Sequence, residues 1–401
     1  MLALRISPDR AFHAPLLSRI VLSITMVNAG NHLCSDPPGV NFYSPLGVVS
    51  GLGTAARGYL AALRAADIPV ALVPIHELFF HQTSVSNVER RQQPHHAISI
   101  AHVNADAVHR FLHFHARTFA RSRYKIGIWV WELPALRDEC WSELRHFDEI
   151  WVPSAFCQRA VQALTPKPVI LMPHVVSAIE ASKSAMREKL NIARDEFMFL
   201  YVFDAAGHIE RKNPQCLVNA FQAAFSMDDR VRLVLKVSNA DADEEFSRYL
   251  DALLERDCRC LVLRQTLNPH EIADLIQACD CYVSPHRTEG FGLTVAEAMA
   301  LGVPVIATDY GGTTDFLSPE VGFPLRYQLV EIEQDLEPYE KGAIWSEPSL
   351  EHLQELMRTV VLNPQKAKEK GQRARARMQA DYSAAAVGRR MAQRLVAIAS
   401  A

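Results

Sequence analysis

Several things are missing from this chain. The apolar stretch in its first 37 residues, Ile20–Val27, falls far short of the roughly 20 residues that a membrane helix needs. A secretory leader fits poorly, because the polar lead-in is long and holds Asp9. None of the eight cysteines (34, 140, 157, 216, 258, 260, 279, 281) forms a C-x-x-C pair, and no histidine spacing suits zinc. They read as reduced, mostly buried thiols of a cytoplasmic protein. Net charge is only −3, which gives no general pull toward nucleic acid. The one basic concentration, Lys366 to Arg377, has no interleaved aromatics and reads as a solvated helix.

What is present is apolar substance and one loaded turn. With 401 residues, 49% hydrophobic and 22% charged, the chain is long enough for more than one full core. Between the β-branched runs Cys281–Val283 and Val303–Ala307 lies Ser-Pro-His-Arg-Thr-Glu289-Gly290-Phe291-Gly292-Leu293-Thr294-Val-Ala-Glu297. The pattern predicts strand, glycine loop, helix, strand. Gly290 and Gly292 let backbone approach a ligand, and a helix starting near Leu293 aims unpaired N–H groups and a positive dipole end there. A phosphate suits that place. Glu289 and Glu297 repel phosphate, so hydroxyls of a ribose and a sugar are their expected partners. The predicted ligand is a sugar nucleotide.

Glu289 and Glu297, seven residues apart around Gly-Phe-Gly-Leu and followed by Ala-Met-Ala-Leu-Gly-Val-Pro-Val-Ile-Ala-Thr, resemble the E-x7-E signature of family-4 retaining glycosyltransferases. The resemblance implies α/β architecture of the GT-B type: two Rossmann-like, doubly wound parallel-sheet domains facing a cleft. It covers roughly residues 39 to 400 and is most specific over 197 to 315. Residues 1–37 would be an extension, 38–175 an acceptor domain, 176–185 a linker, 186–382 a donor domain, and 383–401 a last helix crossing back.

In the first domain, Gly51-x-Gly53-x-x-Ala56 follows the strand Gly39–Tyr43 and matches a dinucleotide fingerprint. Seven residues separate Tyr43 from Gly51, too many for that turn, and no Tyr-x-x-x-Lys pair serves short-chain dehydrogenase chemistry. Gly51 and Gly53 instead resemble the glycine loop facing the family's cleft. His102, Asn104 and Asp106 end a strand from Ile98 and are acceptor-site candidates; Asn104 and Asp106 serve equally as caps for the next helix. That helix, Val108–Phe119, carries His109, Arg110, His113, His115 and Arg117, with Arg121 just beyond. It is a candidate peripheral contact with an anionic inner-membrane face; its plainer reading is a solvated surface. A strand Ile126–Trp131 ends at Glu132, near where the family commonly has a histidine. Glu132 either orients the acceptor proton or is structural, buried against Trp129 and Trp141.

In the second domain, Lys212 resembles the family's diphosphate lysine. The accompanying arginine would fall on Ala206, which leaves Arg211 or Lys236 as substitutes. Asp241-Ala-Asp243 imitates a metal motif but opens a helix and reads as structural. Residues 326–347 read as a variable loop.

The resemblance thus implies a retaining, metal-independent hexosyltransferase, moving a hexose such as mannose from a nucleotide sugar to a hydroxyl of a glycan or lipid-linked glycan, in polysaccharide biosynthesis. Glu289, Lys212 and Glu132 are its candidate catalytic residues. Glu297, Gly290, Phe291, Gly292, Leu293, Thr294, Arg211, Gly51 and Gly53 are its candidate donor contacts. No cofactor is expected. The alternatives are a GT-B phosphorylase or hydrolase, and a non-catalytic nucleotide-sugar-binding protein.

Overall fold

A computed structural model describes residues 37–78, 91–176, 179 and 182–401. Cys34, the stretch 20–27 and the rest of the amino-terminal extension before residue 37 lie outside the described residues. Strands β1 (Val40–Ser44), β2 (Val70–Pro74), β3 (Ile98–His102), β4 (Tyr124–Ile128), β5 (Glu149–Val152) and β6 (Val169–Leu171) form a parallel sheet in the order β2-β1-β3-β4-β5-β6. Strands β7 (Phe197–Asp204), β8 (Val231–Ser238), β9 (Cys260–Leu263), β10 (Cys281–Ser284), β11 (Val305–Thr308) and β12 (Phe323–Leu325) form a second, ordered β12-β11-β10-β7-β8-β9.

Both sheets are covered by helices on each face, which is why their strands are apolar runs rather than alternating ones. In the first sheet Phe42, Ile100, Ile126 and Trp151 point to one core, and Tyr43, Ala101 and Ile150 to the other. In the second, one core gathers Leu200, Leu233, Tyr282 and Ile306. The chain reverses its direction of strand addition between β1 and β3, and again between β7 and β10. Ligand crevices open beyond the carboxyl ends of strands at such points.

Three local expectations need correction, and a fourth, the structural role of Asp243, holds. Gly51 and Gly53 lie inside the first turn of the helix Gly51–Ala65, where the Ser50 hydroxyl accepts from Gly53 N–H at 3.4 Å. Pairing of β4 stops at Ile128, so Trp129 to Glu132 run on as loop. Residues 326–347 are built, not irregular: β13 (Tyr327–Glu331) and β14 (Ile344–Pro348) pair antiparallel. Asp243 caps the helix Glu244–Arg256, accepting from Phe246 N–H at 2.9 Å.

The last helix, Ala384–Ala399, lies on the helix Gly51–Ala65 of the first domain. Gly388 allows the approach: a Cβ there would sit 2.4 Å from the Ala62 carbonyl oxygen. Arg394 of this helix pairs with Glu149, fully buried in β5, which also accepts from Tyr124 Oη at 3.0 Å and Trp151 Nε1 at 2.6 Å. Val176 N–H donates to Tyr382 O at 2.9 Å, so the two passages of chain between the domains lie side by side.

Candidate functional site

The loop after β10 and the loop after β7 meet at the second sheet's reversal point. Gly292, at φ +87°, turns the chain into the helix Leu293–Ala300 and leaves its first turn without a side-chain cap. A residue with a Cβ is strained at that φ, and here its Cβ would also lie 2.6 Å from Thr313 Cγ2. The N–H groups of Leu293, Thr294 and Val295 therefore lack helical partners, at the positive end of the dipole. Gly51 faces the same place from the first domain, 3.7 Å from Leu293 Cδ1 to an added Cβ. The cleft thus lies between two helix amino termini.

Glu297 is half-buried, and its carboxylate makes no hydrogen bond among the described residues. Burial pushes its carboxyl up to about 7, and Arg57 of the first domain pulls it back only in part. The Arg57 guanidinium is held by the Leu46 and Val48 carbonyl oxygens, each at 3.1 Å.

Glu289 behaves oppositely. Burial alone would raise its pKa, but Lys212 Nζ on Oε1 and Arg211 on Oε2 at 3.2 Å hold it down at about 2. The price on the other side falls on Lys212, whose pKa is lowered by burial and by neighbouring Arg211, with Glu289 opposing both. Arg211 is further fixed by the carbonyls of Thr288 and Gly207, each at 3.3 Å. Of the two substitutes for the arginine missing at Ala206, only Arg211 pairs with Glu289; Lys236 is buried and donates to Ser238 Oγ at 3.1 Å.

Glu132 joins this group. Its charge acts on Arg211, Lys212 and Tyr339, and its carbonyl accepts the Thr288 hydroxyl. The alternative of burial against Trp141 is wrong, because Trp141 is 65% exposed.

Other expected contacts are placed elsewhere. Gly290 packs on the first domain: a Cβ would lie 2.6 Å from Val130 Cγ1 and 2.9 Å from the Trp131 carbonyl oxygen. Its own carbonyl accepts Ser154 Oγ–H at 2.6 Å and Cys157 Sγ–H at 3.2 Å. The space saved by this glycine is used for domain contact, not for a phosphate. The Phe291 side chain is 2% exposed against His174, Phe316 and Tyr382, so only its backbone is free to meet a donor. Asn104 holds an N-cap position without a side-chain cap bond; its Oδ1 accepts Val130 N–H at 3.0 Å. His102 is fully buried, with its pKa pushed down to about 3 by desolvation. On the helix Val108–Phe119, His109, Arg110, His113, Phe114 and Arg117 are exposed, but His115 is inside, 2.5 Å from Glu77.

Sequence reasoning missed His286, Arg57, His208 and Tyr339. His286 lies inside the central motif, fully buried, with Nδ1 3.0 Å from Ser284 Oγ and Nε2 3.2 Å from the Tyr310 carbonyl oxygen. Arg57 stands one helical turn after Gly53, a spacing that could have pointed to it. Nothing local marks His208 or Tyr339.

The paired acidic and basic groups beside an open helix terminus coincide with a sequence match. Residues 182–377 match the model of the glycosyl transferases group 1 family. That group 1 match contains Arg211, Lys212, Glu289 and Glu297 together. A D-inositol 3-phosphate glycosyltransferase from Xylanimonas cellulosilytica is 34% identical over 136 residues, 33% of this chain and 30% of that one. The lipopolysaccharide core biosynthesis mannosyltransferase LpsB of Rhizobium meliloti is 53% identical over 47 residues, 12% and 13% of the two chains. The chain thus spans less than a third of the length of these relatives.

Among solved structures, Anabaena HepE in complex with UDP and glucose aligns at a TM-score of 0.64 with 15% identity, covering 90% of this chain and all of that one. Sucrose-phosphate synthase from Thermosynechococcus elongatus aligns at 0.65 with 16% identity, over 90% and 99%. At that identity the likeness shows the fold, which is GT-B.

Proposed function

We propose that this protein is a retaining glycosyltransferase that moves a hexose, mannose among the candidates, from a nucleotide sugar to a hydroxyl of a glycan or lipid-linked glycan. The observation that carries the reading is the contrast at one reversal point. Glu289 is neutralised by Lys212 and Arg211, while the Glu297 carboxylate, among the described residues, has no hydrogen-bond partner beside an uncapped helix start.

In this reading the donor diphosphate lies over the N–H groups of Leu293 and Thr294, and Lys212 and Arg211 turn from Glu289 toward it. Negative charge grows on the diphosphate as the sugar bond breaks, so these cations favour the transition state over the bound donor. Glu297 in its ionised form accepts from the ribose hydroxyls. Glu289, released by its cations, accepts from hydroxyls of the sugar. The acceptor enters from the first domain past Gly51 and Glu132; its oxygen bonds to the anomeric carbon on the face from which the diphosphate departs, and its proton passes to the departing diphosphate oxygen. Fixed side-chain and dipole charges supply the stabilisation that this step needs.

Thermal unfolding against GDP, UDP, ADP and dTDP, and then against the matching sugar nucleotides with candidate acceptors, tests the reading. A ligand of the folded state raises the melting temperature by mass action, so one selective shift names the base. Absence of any shift at millimolar nucleotide would overturn the donor site.

A further inference from the structure

The hairpin β13–β14 is rooted in the second domain and rests its tip on the first. At the root, Arg287, two residues before Glu289, pairs with Glu347 at 2.6 Å and lies 5.2 Å over the Trp345 ring. At the tip, Arg137 of the first domain pairs with Glu337 at 3.0 Å and Glu340 at 3.2 Å. Between root and tip, Leu133 of the first domain packs with Ile332, Tyr339 and Trp345 in a small core separate from the domain cores. The hairpin therefore spans the cleft beside the Glu289 cluster.

Tyr339 is the inward residue of that span, 3% exposed. Its ring meets Trp131 at 6.0 Å and His208 at 5.3 Å. His208 holds φ +65°, disfavoured for a residue with a Cβ, in the loop that carries Lys212. Tyr339 packs on Trp131 and Leu133, the two residues that flank Glu132, and it feels the charges of Glu132, Arg211 and Glu289. Glu297 is not among its partners. Tyr339 thus stands at the Glu289 end of the site.

We infer that Tyr339 and Glu132 select the donor sugar, the hairpin being the flap that brings the phenol onto the sugar hydroxyls. This rests on Glu289 being a sugar contact. A phenol both donates and accepts, whereas a carboxylate only accepts, so the pair fixes which way a hydroxyl must point. A site that hydrogen-bonds a substrate hydroxyl rejects an epimer because its own buried polar groups are then unpaired. Nucleoside diphosphates, which lack the sugar, should not sense the pair.

The test compares wild type with Tyr339→Phe, which keeps the ring and its packing. Titration with UDP and GDP reads the nucleotide site; kcat/KM for UDP-glucose against UDP-galactose, and GDP-mannose against GDP-glucose, reads sugar selection. The expected result is nucleotide affinity within twofold of wild type and a fall of about fivefold or more in discrimination between epimers. Intact nucleotide binding with unchanged discrimination would overturn the inference. If wild type binds none of UDP, GDP, ADP and dTDP, the donor-site reading falls first and this one with it; binding of ADP or dTDP alone moves the same comparison to epimeric sugars on that base. Should Tyr339→Phe melt early, Glu132→Gln on the other domain must give the same loss of discrimination, and failure to do so is equally decisive against the pair.

Discussion

Glu297 and Glu289 share a loop and a helix, yet their environments drive them apart, to about 7 and about 2. If the ionised form of Glu297 binds ribose, donor affinity should rise as pH passes from 6 to 8, because the empty site releases that proton near 7. Glu297→Gln should abolish the rise and weaken binding by charge-assisted hydrogen bonds worth roughly 1.5–3 kcal/mol each; titration calorimetry at three pH values checks both. For stability the sign is the reverse. A carboxyl whose pKa is raised by folding loses stability as pH climbs from its unfolded value toward 7, so Glu297→Gln should melt higher than wild type at pH 8. Lys212→Ala should lower kcat by on the order of 100-fold and donor affinity by less than tenfold, measured by single-turnover kinetics beside equilibrium binding. Equal losses would reduce Lys212 to a ground-state contact.

Among elements, the loop Glu289–Gly292 does something that its sequence did not announce: Gly290 packs on the first domain. Its glycines, spacing and flanking strands were legible, because a strand-loop-helix-strand unit is local and its helix runs from Leu293 as the pattern indicated. Contact of Gly290 with Val130 and Trp131 was not legible, since those residues lie more than 150 positions away. The same holds for Arg211 against Lys236: both are basic residues near strand ends, and only tertiary packing decides which turns to Glu289. The resting of the hairpin tip on the first domain was not legible, because Arg137 lies 200 positions from Glu337. Gly290→Ala must push the domains apart or strain the loop, costing about 1–3 kcal/mol. It should depress transfer far more than nucleotide binding, a split visible in parallel transfer and thermal-shift assays. Arg137→Ala frees the hairpin tip, and should raise hydrolysis of the donor relative to transfer as water gains entry; product analysis by chromatography reads that ratio.

At the scale of the molecule, burial keeps three histidines neutral: His102 and His174 at about 3 and His286 at about 4. Each is protonated in the unfolded chain below about 6.5, so the stability from keeping it neutral is present above that pH and is lost as pH falls toward the folded value. Other histidines, such as His115 and His208, are shifted the same way, while Glu297 opposes them. Denaturant unfolding should therefore show stability falling as pH drops from about 6.5 to about 5. The two doubly wound sheets that set these burials were expected from the family resemblance. The identity of the buried histidines did not, since nothing in the sequence distinguishes His102 from exposed His109.

The side-by-side passages at Val176 and Tyr382 have a consequence for how the protein can be taken apart. A nick in either passage leaves the other intact, and the second half carries a helix whose apolar face belongs on the first. Two polypeptides divided in the first passage would therefore hold a built-in clasp, with Arg394 finding Glu149 as its latch. The fold is suited to fragment complementation, with sugar transfer as the signal of reassembly.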